Sequence, residues 1–509
     1  MPFIKLKLPP GVFSNGTLYE AAGRWYRSNL VRWSEGVMAP IGGWLRLLDS
    51  NTDPIDVTDP IRGLFAWRDE NSALRFLYGT KDAVYHLAAG VETDITPTSG
   101  FTGGDADAVS TSGQYDVGNY GAFDYGVGNE SQSTLAEANT WQFDNYGEIP
   151  VALAYSDGKI LDWDLNIANN FAPVTNAPTD CAGVVVTPER ILVALGAGGD
   201  PRYVAWSDQA DRTDWTPSSS DTAGGYYLPG QGGLMCGKRL PTETLLLTDV
   251  DAFAMRWIGG ALIYRFDQVG SNCGVISRLG LTTAEGRAFW MGKRGFFMYE
   301  GGFARPIPCP VSDEVFESLN ESQRSKVAAW PNSRYHEVWF AYPTSGENDR
   351  IVCYNYLENH WSGPWTLSRT SGMDAGASDL PLAACPTGGI WRHETGAVYL
   401  DNDDTTDLSD TIGAESGPIE LGNGDNVMQV RRYIPDEDSV GDCNLTLKSL
   451  IYPTQGQSGT PTEDEQALTV GSLTDARLTG RQVRMVLSQA ESNWRFGTPR
   501  LEVVPRGRR

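Results

Sequence analysis

An all-β fold is what this chain predicts, on three observations. A strand–turn–strand unit recurs along it, glycine and aromatic residues are abundant, and long helical periodicity is nearly absent. The clearest unit lies in 328–364, AAWPNSRYHEVWFAYPTSGENDRIVCYNYLENHWSGP, where apolar-aromatic runs at 337–342 and 350–356 flank a polar Pro-Thr-Ser-Gly-Glu-Asn-Asp connection. A strand-competent run, a turn and a second run make a β-hairpin. Trp361 follows, large enough to close a small sheet against its neighbour. One hairpin is marginal alone in water, so stacked copies are needed to bury one another's faces.

The unit recurs. Runs at 74–78 and 83–87 flank Gly-Thr-Lys-Asp, and runs at 151–155 and 159–165 flank Ser-Asp-Gly, the second holding Trp163. Runs at 190–195 and 202–206 flank Gly-Ala-Gly-Gly-Asp-Pro; runs at 244–248 and 252–258 flank Asp-Val-Asp and hold Trp257. Runs at 287–291 and 295–299 flank Gly-Lys-Arg, and runs at 382–385 and 390–393 flank Pro-Thr-Gly-Gly. After the first two, successive hairpins begin about 45 residues apart, the spacing of propeller blades. The expected fold is a β-propeller over 61–400, six blades being preferred over seven. An irregular β-sandwich with many meanders is the alternative, because the copies share pattern rather than letters.

At 509 residues the chain is too long for one ordinary core, and two or three domains are expected. The one helix expected is 312–327, with Ser312 as N-cap, Asp313 and Glu314 in the first turn, and Phe316 and Leu319 on one face. Net charge is −24, from 64 acidic and 40 basic residues. Such a chain repels phosphate unless its cations cluster, so it is ill suited to gripping DNA and better suited to a surface along which DNA slides. Seven cysteines without a C-x-x-C pair argue against a disulfide scaffold and fit a reducing compartment of synthesis, with buried free thiols. The opening MPFIKLKLPPG lacks the apolar core of a signal peptide, and no apolar run is long enough to span a membrane.

Residues 1–60 read as an arm and its leading strands, with Arg24, Arg27 and Arg32 set among Trp25, Tyr26 and Trp33. They fit either a docking arm for an acidic partner or neighbouring copy, or a first strand pair with solvated arginines. From Asp82 to Gly158 there is no lysine or arginine, yet there are twelve acidic residues. The middle, GQYDVGNYGAFDYGVGN, spaces Tyr115, Tyr120 and Tyr125 evenly, and about 88–147 reads as a long Gly/Tyr-rich acidic insertion projecting from the propeller. The stretch 394–425 again lacks lysine and arginine. Asp401, Asp403 and Asp407 offer hard oxygen ligands there, but the glycine and terminal glutamate of a calcium loop are missing, and no metal is assigned.

Residues 401–509 read as a C-terminal sandwich- or barrel-like β domain with strands at 427–434, 444–452, 482–488 and 500–504. Val483, Met485 and Leu487 share one face while Arg484 points to the other. Arginine is dense here, including Arg477, Arg495, Arg500, Arg506, Arg508 and Arg509, and opposed charges on one subunit suit head-to-tail contacts in a ring.

No catalytic, cofactor-binding or metal residue can be nominated. His86, His336, His360 and His393 lie far apart without metal-ligand spacing, and there is no G-x-S-x-G elbow, P-loop or dinucleotide fingerprint. The stretch 207–215 is similar to the Asp-box turn of sialidase-type propellers but lacks its glycine, and that turn is structural in any case.

Four stretches together resemble a family of bacteriophage virion proteins: TPERILVALGAGGDPRYVAWSDQADRTDWTP (187–217), GSNCGVISRLGL (270–281), FWMGKRGFFMYEGG (289–302), and TGRQVRMVL with WRFGTPRLEVVPRGRR inside 479–509. The family is the tail nozzle (tail tubular protein B, or packaged-DNA stabilisation protein) of short-tailed phages. The resemblance implies a β-propeller subunit of a homohexameric ring below the adaptor (head–tail connector) and portal rings, near the tail fibres or spikes. It further implies a virion protein made in the host bacterial cytoplasm, with no enzymatic activity and no cofactor. Its lumen would retain the packaged genome DNA and pass it at ejection without sequence-specific binding. On this reading Asp105, Asp107, Asp116 and Asp124 are expected to line or gate the channel. Arg24, Arg27, Arg32, Arg506, Arg508 and Arg509 are expected to make subunit or adaptor contacts. Two other classes stay open: a propeller-type carbohydrate- or receptor-binding tail protein, and a glycoside hydrolase, which would require two positioned carboxylates.

Overall fold

In the computed structural model, which describes residues 3–507 apart from 56, 111–134, 403–404, 422–425, 442, 453–454, 456–462 and 490–493, every predicted hairpin is the middle strand pair of its own four-stranded antiparallel sheet. An inner strand precedes each hairpin: Leu64–Arg68, Trp141–Tyr146, Gly183–Val186, Leu234–Arg239, Leu281–Ala284, Ala328–Asn332 and Ser371–Met373. These inner strands neighbour one another in a closed circle, each packing on the next and the last on the first. The protein is a β-propeller.

It has seven blades, not the six preferred from sequence. The seventh hairpin is a complete blade because its outer strand arrives from the far end of the chain. Trp44–Arg46 pairs with Ile390–His393 in the register Trp391↔Arg46 and His393↔Trp44. The propeller is thereby closed by a strand that precedes its first blade, and 61–400 is not its full extent.

Between blades the apolar faces meet. Trp67, Leu77, Trp141 and Leu161 pack between blades 1 and 2, and Leu47, Ile61, Tyr78, Leu87 and Ile390 join blade 7 to blade 1. Trp361, on the outer strand of blade 6, reaches blade 5: its ring lies 4.6 Å from Phe296, and its Nε1–H donates to Pro308 O at 2.9 Å. A blade buried on both faces has this alternative to standing alone, as the isolated hairpin required.

Both chain ends build the second body, a two-sheet sandwich. One sheet runs Phe3–Lys5, Arg500–Gly507, Val427–Ile434, Thr474–Gly480; the other runs Trp25–Asn29, Gly413–Ser416, Gln482–Gln489, Cys443–Leu450, Asp464–Thr469. The N-terminal segment supplies Phe3–Lys5 and Trp25–Asn29 to the sandwich and Trp44–Arg46 to the propeller, with Val31–Ser34 and Val37–Pro40 pairing as a separate hairpin between them. Val483, Met485 and Leu487 face the sandwich core, as their alternation predicts, opposite Val430, Leu478, Leu501 and Val503. Arg484 faces out and pairs with Glu415, and with Glu463 at 3.2 Å. The sandwich docks on blade 6, where Gly363 N donates to Ser28 Oγ at 3.1 Å and Thr366 N to Asn29 Oδ1 at 2.7 Å.

The helix is shorter than expected. It spans Ser312–Ser318 with Val311 at its N-cap, and Leu319 turns extended. Asn320 then caps a separate 3-10 segment, Glu321–Lys326, its side chain accepting from Ser322 N. A capping side chain of this kind starts a new turn and ends the previous one.

Candidate functional site at the propeller axis

The inner strands enclose an axial cavity of about 250 Å³ lined by Trp141, Phe143, Trp330, Lys238 and Arg278, among others. Its walls are drawn in by glycine: a Cβ on Gly63 would lie 2.7 Å from the Trp141 Cβ, and one on Gly372 would lie 2.5 Å from the Trp330 indole. Gln142 ties three blades together, its Oε1 accepting from Val184 N at 3.1 Å and its Nε2 donating to Met235 O at 3.1 Å.

The acidic insertion is rooted at one end of the axis. The outer strand of blade 1, Val91–Asp94, and the inner strand of blade 2, Trp141–Tyr146, both lie inside the predicted 88–147, so the insertion itself is confined to 95–140. Its outgoing limb is held by Gln323, whose amide bonds both Ala108 N and Ala108 O at 3.0 Å, and by an ion pair between Asp107 and Lys326. Lys326 is buried two residues before the inner strand of blade 6 and also meets Glu347 at 2.8 Å, which in turn pairs with Arg62 at 2.5 Å. The returning limb is held by an ion pair between Glu137 and Arg278. The Arg278 guanidinium sits 3.2 Å above the Tyr155 ring, and its Nε donates to Ala182 O at 3.3 Å. Asn139 N donates to Asp105 O at 2.9 Å, closing the two limbs on each other.

These contacts revise the roles read from sequence. Asp107 does not offer an unpaired negative charge: the Lys326 ammonium holds its carboxyl below the usual range, and it anchors the root. Asp105 is exposed beside it. Asp116 and Asp124 lie outside the described residues, as do Arg508 and Arg509. Arg24 and Arg27 are exposed, each guanidinium 5.1 Å from a ring, Phe13 and Tyr26 respectively. Arg506 is exposed on the other sheet of the sandwich and donates through Nε to Gln429 at 2.9 Å.

Arg32 is a plain correction. It is 4 % exposed and lies between two buried carboxylates, donating to Glu337 at 2.9 Å and to Glu394 at 2.6 Å. A side chain engaged on every side within its own subunit cannot serve a contact with another. The sequence missed Arg278, Lys326 and Glu137; the available signal was a lone cation directly ahead of a buried inner strand, as in SRLGL and SKVAAW.

The remaining candidates are engaged within their own blades. In 207–215, Asp208 Oδ1 accepts from Thr222 N at 2.7 Å and Asp211 Oδ1 from Thr213 N at 2.9 Å, a self-closed turn between the last two strands of blade 3. Six cysteines are buried, Cys309 is half-buried, and none forms a disulfide. Among the described residues no group of His, Cys, Asp and Glu is placed to hold a metal ion.

Three of the four histidines are buried inside blades, where burial holds them neutral. Burial, with Arg75 adjacent, pulls His86 down to about 4; burial lowers His360; burial together with Arg369 and Arg32 holds His393 well below the usual range. Between about 4 and 6.5 these histidines therefore bind fewer protons in the folded chain than in the unfolded one. The stabilising contribution is complete above 6.5 and is lost as pH falls toward 4. The thermal midpoint should drop progressively over that interval, and a midpoint that rose on acidification would contradict the assignment.

No protein-family model matches the chain, and no curated protein matches it. Solved structures do. A streptogramin B lyase aligns over 67 % of this chain and 95 % of its own at 11 % identity and a TM-score of 0.39. A catalytically inactive virginiamycin B lyase from Staphylococcus aureus with quinupristin aligns over 69 % and 97 % at 8 % identity and 0.41. The Pan2 WD40 domain of Neurospora crassa aligns over 73 % and 99 % at 9 % identity and 0.40. The likeness is one of fold.

Proposed function

We propose that the chain is a structural subunit of a phage tail nozzle, a homohexameric ring below the adaptor that retains packaged DNA and passes it at ejection. The observation that carries this reading is the fixing of the acidic insertion by Arg278, which lies in one of the four stretches that resemble the nozzle family, at the end of the propeller axis. An acidic limb held at a defined place on every copy would line a shared lumen with negative charge, against which a polyanion slides rather than sticks. The hydrolase alternative has less support. Asp107, Glu137, Asp157 and Glu347, at the axial mouth, each face a lysine or arginine, so no pair of them stands ready as acid and nucleophile.

One feature favours the carbohydrate-binding reading. On the outer strand of blade 3, Tyr227 lies tilted against Tyr203 of the adjacent strand at 4.5 Å and Tyr226 stacks on Phe266, on the outer strand of blade 4, at 4.6 Å, with Tyr226 and Tyr227 exposed. Electron microscopy of the purified chain separates the two. Six-fold rings with an open lumen wide enough for a duplex are expected; monomers that bind glycans, with binding lost in Tyr226→Ala, would overturn the nozzle reading.

A further inference from the structure

The outward face of one sandwich sheet carries a concentration of cations on an otherwise acidic chain. Alternation along Arg500–Gly507 turns Arg500, Glu502, Val504 and Arg506 outward, with Leu501 and Val503 buried beneath. The register then places their neighbours: Lys5 opposite Arg500, and Arg432 opposite both Glu502 and Asp475. Arg477 shares the outward side of its strand with Asp475, and a bulge between Val430 and Arg432 exposes Arg431 as well. The two carboxylates of this face are both taken by Arg432, at 3.3 Å from Asp475 and 3.7 Å from Glu502. Lys5, Arg431, Arg477, Arg500 and Arg506 form no ion pair among the described residues, on a chain whose net charge is −24.

The geometry points to this face as the surface that binds a second copy of the chain, through that copy's acidic exterior. Two observations favour a protein partner over a nucleic acid. Apolar side chains are interleaved with the cations, Phe3 at 57 % exposure and Ile434 and Val504 half-buried, which is the mixture of an interface core and its charged rim rather than of a phosphate track. Every copy also carries 64 acidic against 40 basic residues, so the complementary charge is supplied by the chain itself, and a contact between unlike patches builds rings or open filaments rather than closed pairs. The inference rests on the ring reading above for the expectation that copies associate, and adds the surface by which they do so. Steering by such charge sets encounter rate and register, and salt screens it.

The test compares wild type with R431E/R477E/R500E and with the milder R431Q/R477Q/R500Q by mass photometry at low and high salt, with thermal midpoints as a folding control. All three side chains are exposed, so both variants should fold. At low salt the wild type should assemble, the glutamine variant should need at least tenfold more protein to do so, and the glutamate variant should remain monomeric; high salt should weaken the wild type alone. Wild-type rings that persist unchanged in both variants would overturn the inference while leaving the nozzle reading in place. Wild-type dimers or open chains abolished by the variants would uphold the inference and overturn the six-fold ring. A monomeric wild type, or variants that lose binding to a labelled duplex while assembling normally, would overturn the inference.

Discussion

Replacing Arg32 by alanine should destabilise the protein by about 3–5 kcal/mol, the cost of leaving buried charge without its partner. The guanidinium donates through Nε and Nη2 to the two oxygens of Glu337, both at 2.9 Å, and through Nη1 and Nη2 to those of Glu394 at 2.8 and 2.6 Å. Glu394 also accepts from Gly42 N at 3.0 Å and Asn332 Nδ2 at 2.8 Å, and Glu337 from Trp339 Nε1 at 2.9 Å. The triad therefore joins the hairpin Val31–Ser34 and Val37–Pro40 to blades 6 and 7. Burial, opposed by Arg32 and reinforced by Glu394, pushes the Glu337 carboxyl above its ordinary range. With the guanidinium gone the two carboxylates face each other, so the loss should be largest at neutral pH and partly relieved by acid. Urea unfolding at two pH values measures both effects. A change below about 1 kcal/mol, the scale of an exposed ion pair, would mean Arg32 is not the internal tie described here.

Trp44→Ala should cost about as much, ~3–5 kcal/mol, and should do so at one place. Trp44 is fully buried in the closing strand, its Nε1–H donating to Leu400 O at 2.8 Å and its ring lying 5.4 Å from both Tyr399 and His393. The Arg369 guanidinium lies 5.2 Å from the same ring. Truncation leaves a cavity beneath a strand that has only three residues of pairing with blade 7. Hydrogen exchange should therefore rise first in 44–46 and 371–393, with blades 2 to 4 still protected. Uniform loss of protection around the ring would show that closure by this strand is not the weak point.

The hairpins were legible because everything that makes them is local. At 337–342 and 350–356 the apolar runs, the polar turn and the following tryptophan all lie within one blade, and the observed strands Glu337–Pro343 and Asn348–Asn355 match them closely. The flanking strands were not legible. Ala172–Pro173 and Arg305–Ile307 are too short and too poor in strand formers to signal themselves, and they exist because a neighbouring strand offers its edge. At the candidate site the sequence marked the acidic insertion but not its anchors, since Asp107 and Lys326 or Glu137 and Arg278 are far apart in the chain.

By itself the sequence determined the repeated two-stranded unit, seven times over, and the alternation that buries Val483, Met485 and Leu487 while turning arginines outward. Only the tertiary structure decided that seven units close, that Arg32 is an internal tie, and that cations from strands at opposite ends of the chain share one sheet face. The physical reason is range. Turn chemistry and side-chain alternation act between neighbours in sequence, whereas ring closure and charge pairing act between groups that only folding brings within a few ångströms.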